Sequence, residues 1–330
     1  MKFLFIIHSH TTFLSSIGTI NYLGIKHEDI RIAFIRNYKN TLYQFKSPTI
    51  NLSWAFEYPI YSNFFKYKGF IKRIDNILRD FIGDENFIMC ASFPGNILLY
   101  QIIFSNRNCV GFKYIQEGAL PFDNVYRNKL PILYRLYGNF LRFWFKDRLW
   151  SSHGLWTVPT FLKGKLQYPT ECYAIDEDFF KNLDCKLNLI KWPSIDMKKT
   201  KYGINPEYPC FVLESSVEMG VVEKEVYLGC VNEMILQKAE QNNYIKFHPY
   251  QSDDNKRLIV DMFKKKRCNV ELLSMEVPFE FYLSSYQSLK VYGFKSSLLV
   301  FAQNLGHQTY SMEDELLKRS KTYRTFRYSR

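Results

Sequence analysis

A carboxylate, an imidazole and a pair of hydroxyls stand at three points of the chain, each where a strand pattern gives out. The segments are Gln116-Glu117-Gly118, Lys246-Phe247-His248-Pro249 and Gly293-Phe294-Lys295-Ser296-Ser297. Proline biases the residue before it away from helix, so His248 is expected at a strand end, where its ring can hydrogen-bond or protonate a departing phosphate. Lys246, two residues earlier on the same strand, is expected on the same face as a second contact to phosphate or base. Glu117 can take the proton of an attacking hydroxyl, and Gly118 gives the backbone freedom to turn beside a ligand. Ser296 reads as a helix N-cap with Ser297 after it, and the amides and hydroxyls of a helix start form a ready phosphate site. Taken singly, each has an ordinary explanation as a turn carboxylate, a surface histidine or a common cap. Their shared placement at strand ends is what gives the set weight.

The elements that must hold these groups alternate. Strand patterns at 2–7, 30–35, 87–91 and 109–115 are interleaved with helical spacing near 12–23, at 68–82 and from Pro94-Gly95 to about 104. The aromatic, basic segment 127–150 reads as one or two helices, and the pattern weakens from 151 to 206. A second series follows: strands at 209–214, 243–247, 269–273 and 289–292, with helices at 222–240, 255–266, 278–285 and 296–304. Alternation of this kind predicts α/β domains whose mostly parallel sheets are covered on both faces. Ligands of such sheets bind outside the carboxyl ends of the strands, where Glu117, His248 and Ser296 fall. By the same rule Ser215 and Ser216, after the first strand of the second series, are expected to offer amides to a nucleotide. His10, after the first strand, is a candidate for the acceptor side, as are Gln116 and Gly118 on either side of Glu117. His8 reads as a hydrogen-bonded loop residue, and His153 and His307 as structural.

In the order carboxylate-glycine, His-Pro and serine pair, the chain resembles bacterial sialyltransferases of the lipooligosaccharide and polysialic acid type. The likeness covers these short motifs and the general layout. It implies a GT-B-type fold of two Rossmann-like domains facing a central cleft: an acceptor-binding domain at 1–155, an interdomain region at 156–206, a CMP-sugar-binding domain at 207–308 and a basic helix or tail at 309–330. It implies Glu117 as general base, His248 assisting the leaving cytidine monophosphate, and Ser296 and Ser297 on its phosphate. Pro278-Phe279-Glu280 matches a further family segment, by which Glu280 would hold the ribose hydroxyls. The implied reaction is metal-independent, inverting transfer from CMP-sialic acid to a hydroxyl of a surface glycan, lipooligosaccharide or capsule, with no cofactor. One departure is Gln116, where the family has a first acidic residue. Another CMP-activated acidic sugar such as Kdo, or a polyol phosphate, is an alternative cargo. A non-catalytic basic protein that binds membrane or nucleic acid is the alternative of another class.

Composition narrows these choices. At 330 residues two domains are expected, and 44 basic against 32 acidic residues leave a charge of +12. That charge suits nucleic acid, an anionic membrane face or an anionic small molecule, and no nucleic-acid-binding motif is present. The seven cysteines include no CxxC pair, so reduced core thiols and a cytoplasmic location are expected. The apolar run from Met1 to Ile7 breaks at His8 and reads as a buried strand rather than a signal peptide. No stretch reaches the roughly 18 uncharged apolar residues of a spanning helix. Residues 318–330 interleave Lys318, Arg319, Lys321, Arg324, Arg327 and Arg330 with aromatics. This pattern suits either peripheral attachment to the inner face of an anionic membrane or a solvated, frayed end. No Asp-x-Asp metal site occurs, and Asp253-Asp254 reads as a helix start.

Overall fold

The computed structural model describes residues 1–39, 43, 45–56, 66–92, 98–119, 136, 140–149, 167–181, 183 and 185–328. The expected helix start at Pro94-Gly95, most of the segment 127–150 before Phe140, and His153 lie outside the described residues. The chain divides into two compact units, Met1–Trp192 and Pro193–Arg330. The two α/β domains with parallel sheets expected from the alternation are both present.

In the first unit the strands are β1 (Lys2–Ile7), β2 (Ile30–Phe34), β3 (Thr49–Asn51), β4 (Phe87–Ala91), β5 (Cys109–Ile115), β6 (Glu171–Ala174) and β7 (Lys186–Leu189). They form one sheet in the order β3-β2-β1-β4-β5-β6-β7. Every pairing is parallel. β4 and β5 are buried along their whole length, as strands covered on both faces must be. Leu4 and Ile6 enter a core with Phe70, Ile74 and Leu78 of the long helix Lys66–Ile82 and with Ile102 and Ile103 of the helix Leu98–Phe104. Phe5 and Ile7 are buried as well, on the alternate face of the pleat.

The helix that follows β1, α1 (His10–Leu23), starts with a capping box in which Ser9 and Thr12 satisfy each other's backbone amides. It ends at Gly24, which takes the left-handed φ of 60°. The strand-free residues after β7 pack on this helix. A Cβ added at Gly18 would stand 2.5 Å from the Lys191 carbonyl oxygen, and Trp192 donates from Nε1 to Ser15 Oγ at 3.1 Å. This packing moves the end of the first domain from the expected 155 to 192. The stretch expected to be interdomain supplies β6 and β7 to the first sheet.

Cys172 on β6 and Cys185 just before β7 are joined in a disulfide, with Cα atoms 6.3 Å apart. This corrects the expectation of uniformly reduced thiols: parallel pairing of two short strands brings together residues that look unrelated in sequence. Cys90, Cys109, Cys210, Cys230 and Cys268 are free.

The second unit holds β8 (Cys210–Leu213), β9 (Asn242–Phe247), β10 (Asn269–Leu272), β11 (Lys290–Gly293) and β12 (Gln308–Ser311). Its sheet, in the order β10-β9-β8-β11-β12, is also wholly parallel. Gly293 is a position that only glycine fits, because an added Cβ would lie 2.4 Å from the carbonyl oxygen of Val212 on β8. Helices Lys224–Lys238 and Asp253–Lys265 bury Tyr227, Met234, Ile259 and Phe263 against Phe211 and Ile245.

The expected basic tail is folded into this unit. Residues 308–311 add the edge strand β12, and helices Glu313–Arg319 and Lys321–Tyr328 bury Leu316 and Tyr323 in the core. Three of its cations are paired within the domain: Arg319 with Glu233 and Glu315, Lys318 with Glu315, and Arg327 with Glu313. Among the described residues no helix is long and apolar enough to cross a membrane.

Candidate active site

In the first domain, four neighbouring strand ends set polar groups in a row. Arg36 follows β2, His8 follows β1, Ser92 follows β4 and Glu117 follows β5. Glu117 Oε1 lies 2.6 Å from His8 Nε2 and 3.6 Å from Arg36 Nη1. The His8 side chain is 3% exposed, the Glu117 side chain 39%. Burial pushes the Glu117 carboxyl up, but His8, Ser92 and Arg36 together outweigh it and hold the group below its ordinary value. The expected base is thus an ionised, half-exposed carboxylate with one oxygen tethered.

Its neighbours serve differently. Gln116 is fully buried; its Nε2 donates to the Gly118 carbonyl at 2.9 Å and its Oε1 accepts from Ile175 N at 2.8 Å. The side chain ties the end of β5 to the chain leaving β6, so it is a structural amide rather than an acceptor contact. A carboxylate there could not make the donation to Gly118. Gly118 has no left-handed φ, and a Cβ would meet nothing within 4 Å, so backbone freedom is not its use. His10 does not reach Glu117 by any described hydrogen bond; its Nδ1 lies 3.1 Å from Tyr38 Oη.

In the second domain, the adjacent strands β9, β8 and β11 deliver His248, Ser215-Ser216 and Ser296-Ser297 at one edge of the sheet. His248 is exposed just beyond β9 and donates its backbone N–H to Leu213 O at 2.9 Å. Its Nδ1 accepts from Tyr250 N at 3.2 Å, which assigns the proton of the neutral ring to Nε2, the nitrogen left to meet a ligand. Partial desolvation outweighs the nearby Glu218 carboxylate and lowers the pKa of the ring. Pro249 is exposed beside it. The loop is pinned by Glu218, whose Oε1 accepts from Ser252 N and from Asn255 Nδ2, each at 2.8 Å.

Lys246 corrects the expectation of a phosphate contact. It is buried, and its Nζ donates to the carbonyls of Ser274 at 2.6 Å and Val277 at 2.7 Å. Burial pulls its pKa down to about 8 against the opposing pull of Glu280. The ammonium therefore clamps the turn that leads into Pro278-Phe279-Glu280. Glu280 stands in the first turn of the helix Phe279–Ser285, and burial raises its carboxyl despite its own amide and Lys246.

Ser296 is the N-cap of the helix Ser297–Asn304, its Oγ accepting from Leu299 N at 3.4 Å, and Ser297 is exposed at the first helical position. The Lys295 amide before it donates to Glu313 Oε2 at 3.3 Å. Ser215 and Ser216 are buried, with Ser216 beside the Glu214 carboxyl. His307 is structural as expected: Nε2 lies 2.9 Å from Leu283 O and Nδ1 accepts from Leu289 N at 3.1 Å. Among the described residues no group of three or more His, Cys, Asp or Glu is placed to hold a metal ion.

Residues 155–311, a span that carries the His-Pro, Pro-x-Glu and serine-pair segments, match the family described as Alpha-2,8-polysialyltransferase (POLYST). Over these residues, somewhat under half of its length, the chain is similar to polysialyltransferases. The enzyme is thus a glycosyltransferase, a class that takes a nucleotide-sugar donor and a glycan acceptor. Solved structures with a similar fold include a UDP-GlcNAc 2-epimerase from Methanocaldococcus jannaschii, at 12% identity over 99% of this chain and 87% of the other, with a TM-score of 0.49. A glycosyltransferase from Rickettsia africae gives 12% identity over the same shares of each chain and a TM-score of 0.47. The ADP-heptose heptosyltransferase II of E. coli gives 8%, 94%, 83% and 0.43 for the same quantities. No curated protein matches the chain in sequence.

Several residues of this transferase escaped the sequence reading. Arg36 carries a weak signal, a cation directly after a strand, and takes a left-handed φ of 55°. Glu214, directly after β8, is another. The Glu214 carboxyl is buried beside Ser216, and the buried Gln251 amide lies against the Tyr227 hydroxyl.

Burial, with Glu313 adding to it against Ser216 and Arg327, raises the Glu214 carboxyl to about 7. An acid whose pKa is raised by folding holds its proton longer in the native state, so stability falls as pH climbs from its unfolded value of 4.5 through about 7. Glu214→Gln removes that penalty. Urea unfolding of the second domain should show the variant gaining roughly 3 kcal/mol on its parent at pH 8, and little at pH 4.

Proposed function

We propose that the enzyme transfers sialic acid from CMP-sialic acid to a hydroxyl of a bacterial surface glycan, with inversion and without a divalent metal. The acceptor oxygen bonds to the anomeric carbon and its proton passes to Glu117. The anomeric bond to the phosphate oxygen breaks, and its electron pair leaves with CMP. His248 donates from Nε2 to that phosphate as its charge grows, and the amides at the start of helix Ser297–Asn304, with the Ser297 hydroxyl, share the load. The exposed hydroxyl is Ser297; the Ser296 hydroxyl is committed to its cap. Glu280 is assigned to the ribose hydroxyls, with Lys246 holding its segment in place.

The observation that carries this reading is the state of His248: exposed at a strand end inside the matched segment, with Nδ1 capped so that Nε2 is the donor. A neutral imidazole beside helix amides supplies the electrostatic work that a metal would otherwise do.

The test is incubation with CMP-sialic acid, CMP-Kdo and unrelated nucleotide sugars, each with and without a glycan acceptor and with EDTA. Acceptor-dependent release of CMP from CMP-sialic acid alone, unchanged by EDTA, is expected. NMR of the product should show the inverted anomer. Turnover of CMP-Kdo instead, loss of activity in EDTA, or no turnover of any CMP-sugar overturns the corresponding part of the proposal.

A further inference from the structure

We propose that His8 is a positioning residue for Glu117, binding one carboxylate oxygen so that the other is presented to the acceptor hydroxyl. The proposal rests on the reading of Glu117 as general base. Nothing in the matched segment bears on it, because both residues lie upstream of residue 155.

The contact is built rather than incidental. β1 and β5 are not neighbours in the sheet; β4 runs between them. His8 must therefore reach across the end of β4, over Ser92, to meet Glu117 at 2.6 Å. Its backbone is set for this by the capping box: the His8 N–H donates to Thr12 Oγ1 at 3.1 Å, and Thr12 in turn is fixed by Ser9. A buried ring on a capped turn has little freedom, so the donor position is defined before any substrate arrives.

His8 and Arg36 both approach Oε1, and the further polar side chain at the carboxylate is the Ser92 hydroxyl. With Nε2 donating to the carboxylate, the Nδ1 of a neutral ring is an acceptor, and that atom is buried without a partner. A buried polar atom left unpaired costs stability. The placement of this ring is better explained by what Nε2 does than by folding. The groups facing Glu117 are His8 from β1, Arg36 from β2, Ser92 from β4 and the Tyr100 hydroxyl from the helix Leu98–Phe104. Loss of His8 leaves the burial of the carboxyl less opposed, so its pKa must rise.

The experiment compares kcat and KM across pH for the parent, His8→Ala, His8→Gln and Glu117→Gln, with thermal melts to confirm folding. Gln places an amide N–H near the position of Nε2. We expect His8→Ala to lower kcat by about 10- to 100-fold, the range typical of groups that orient a reacting residue. The acid limb of kcat should move to higher pH, donor KM should hold, and His8→Gln should recover most of the rate. If Glu117→Gln is inactive while His8→Ala keeps the parental rate and acid limb, His8 has no such role and the base stands. If Ala and Gln variants fall equally with an unmoved acid limb, the ring is merely structural and the proposal fails. Full activity of Glu117→Gln removes the base, and His8 with it.

Discussion

Glu117→Gln should lower kcat by about 10³-fold, within the span typical of losing a general base, while the melting temperature stays close to that of the parent. The substitution keeps the shape of the side chain and an oxygen at Oε1 to accept from His8, so the row at the strand ends remains closed. What it removes is the basicity. Since the folded carboxyl is held below its ordinary value, it is fully ionised at neutral pH. The kcat of the parent should therefore be flat from pH 7 down to pH 5 and fall only as the pH drops through that depressed pKa. The stability contributed by the same group is present above its unfolded value of 4.5 and is lost below it, so activity and fold should weaken together in acid. Single-turnover transfer measured against pH separates the two, because the variant loses rate where it is still folded.

His248→Ala should cost about 10²- to 10³-fold in kcat, with a smaller effect on donor KM, since the bond it removes strengthens only as the phosphate gains charge. The sign of its pH dependence follows from the lowered pKa. The ring is neutral at pH 7 with its proton on Nε2, so raising the pH from 7 to 8.5 should leave kcat unchanged. Protonation at low pH would force Nδ1 to give up the Tyr250 amide. His248→Asn, which keeps an N–H donor, should retain more activity than the alanine variant. An alanine variant with the parental kcat would remove His248 from the leaving-group step.

The long buried strands were legible because strands covered on both faces must be apolar throughout: β1, β4, β5 and β8 stand where the runs of Phe, Ile, Val and Leu predict them. β7 and β12 were not, since Lys186–Leu189 and Gln308–Ser311 are short and largely exposed, and carry no such run. Lys246 was misplaced for a definite reason. Alternation along a strand puts residues two apart on one face, but β9 ends at Phe247, so His248 has already left the pleat. Gln116 looked like a degraded acidic motif, and only its two hydrogen bonds show why an amide suits the position. The contact between His8 and Glu117 was illegible because it joins strand ends that are 109 residues apart and not even adjacent in the sheet. The loop character of His8 was readable, its partner was not.

The helix Lys321–Tyr328 looks in sequence like a disposable basic extension, yet it shores up the loop before the serine pair. Arg327 donates to the Lys295 carbonyl at 2.8 Å, and both Tyr323 and the Lys295 amide converge on Glu313 Oε2. Thr322 and Ser320 meanwhile fasten the same helix to Glu223 at the start of Lys224–Lys238. Substitutions in this helix are therefore expected to disturb the loop that leads into the cradle proposed for the donor phosphate.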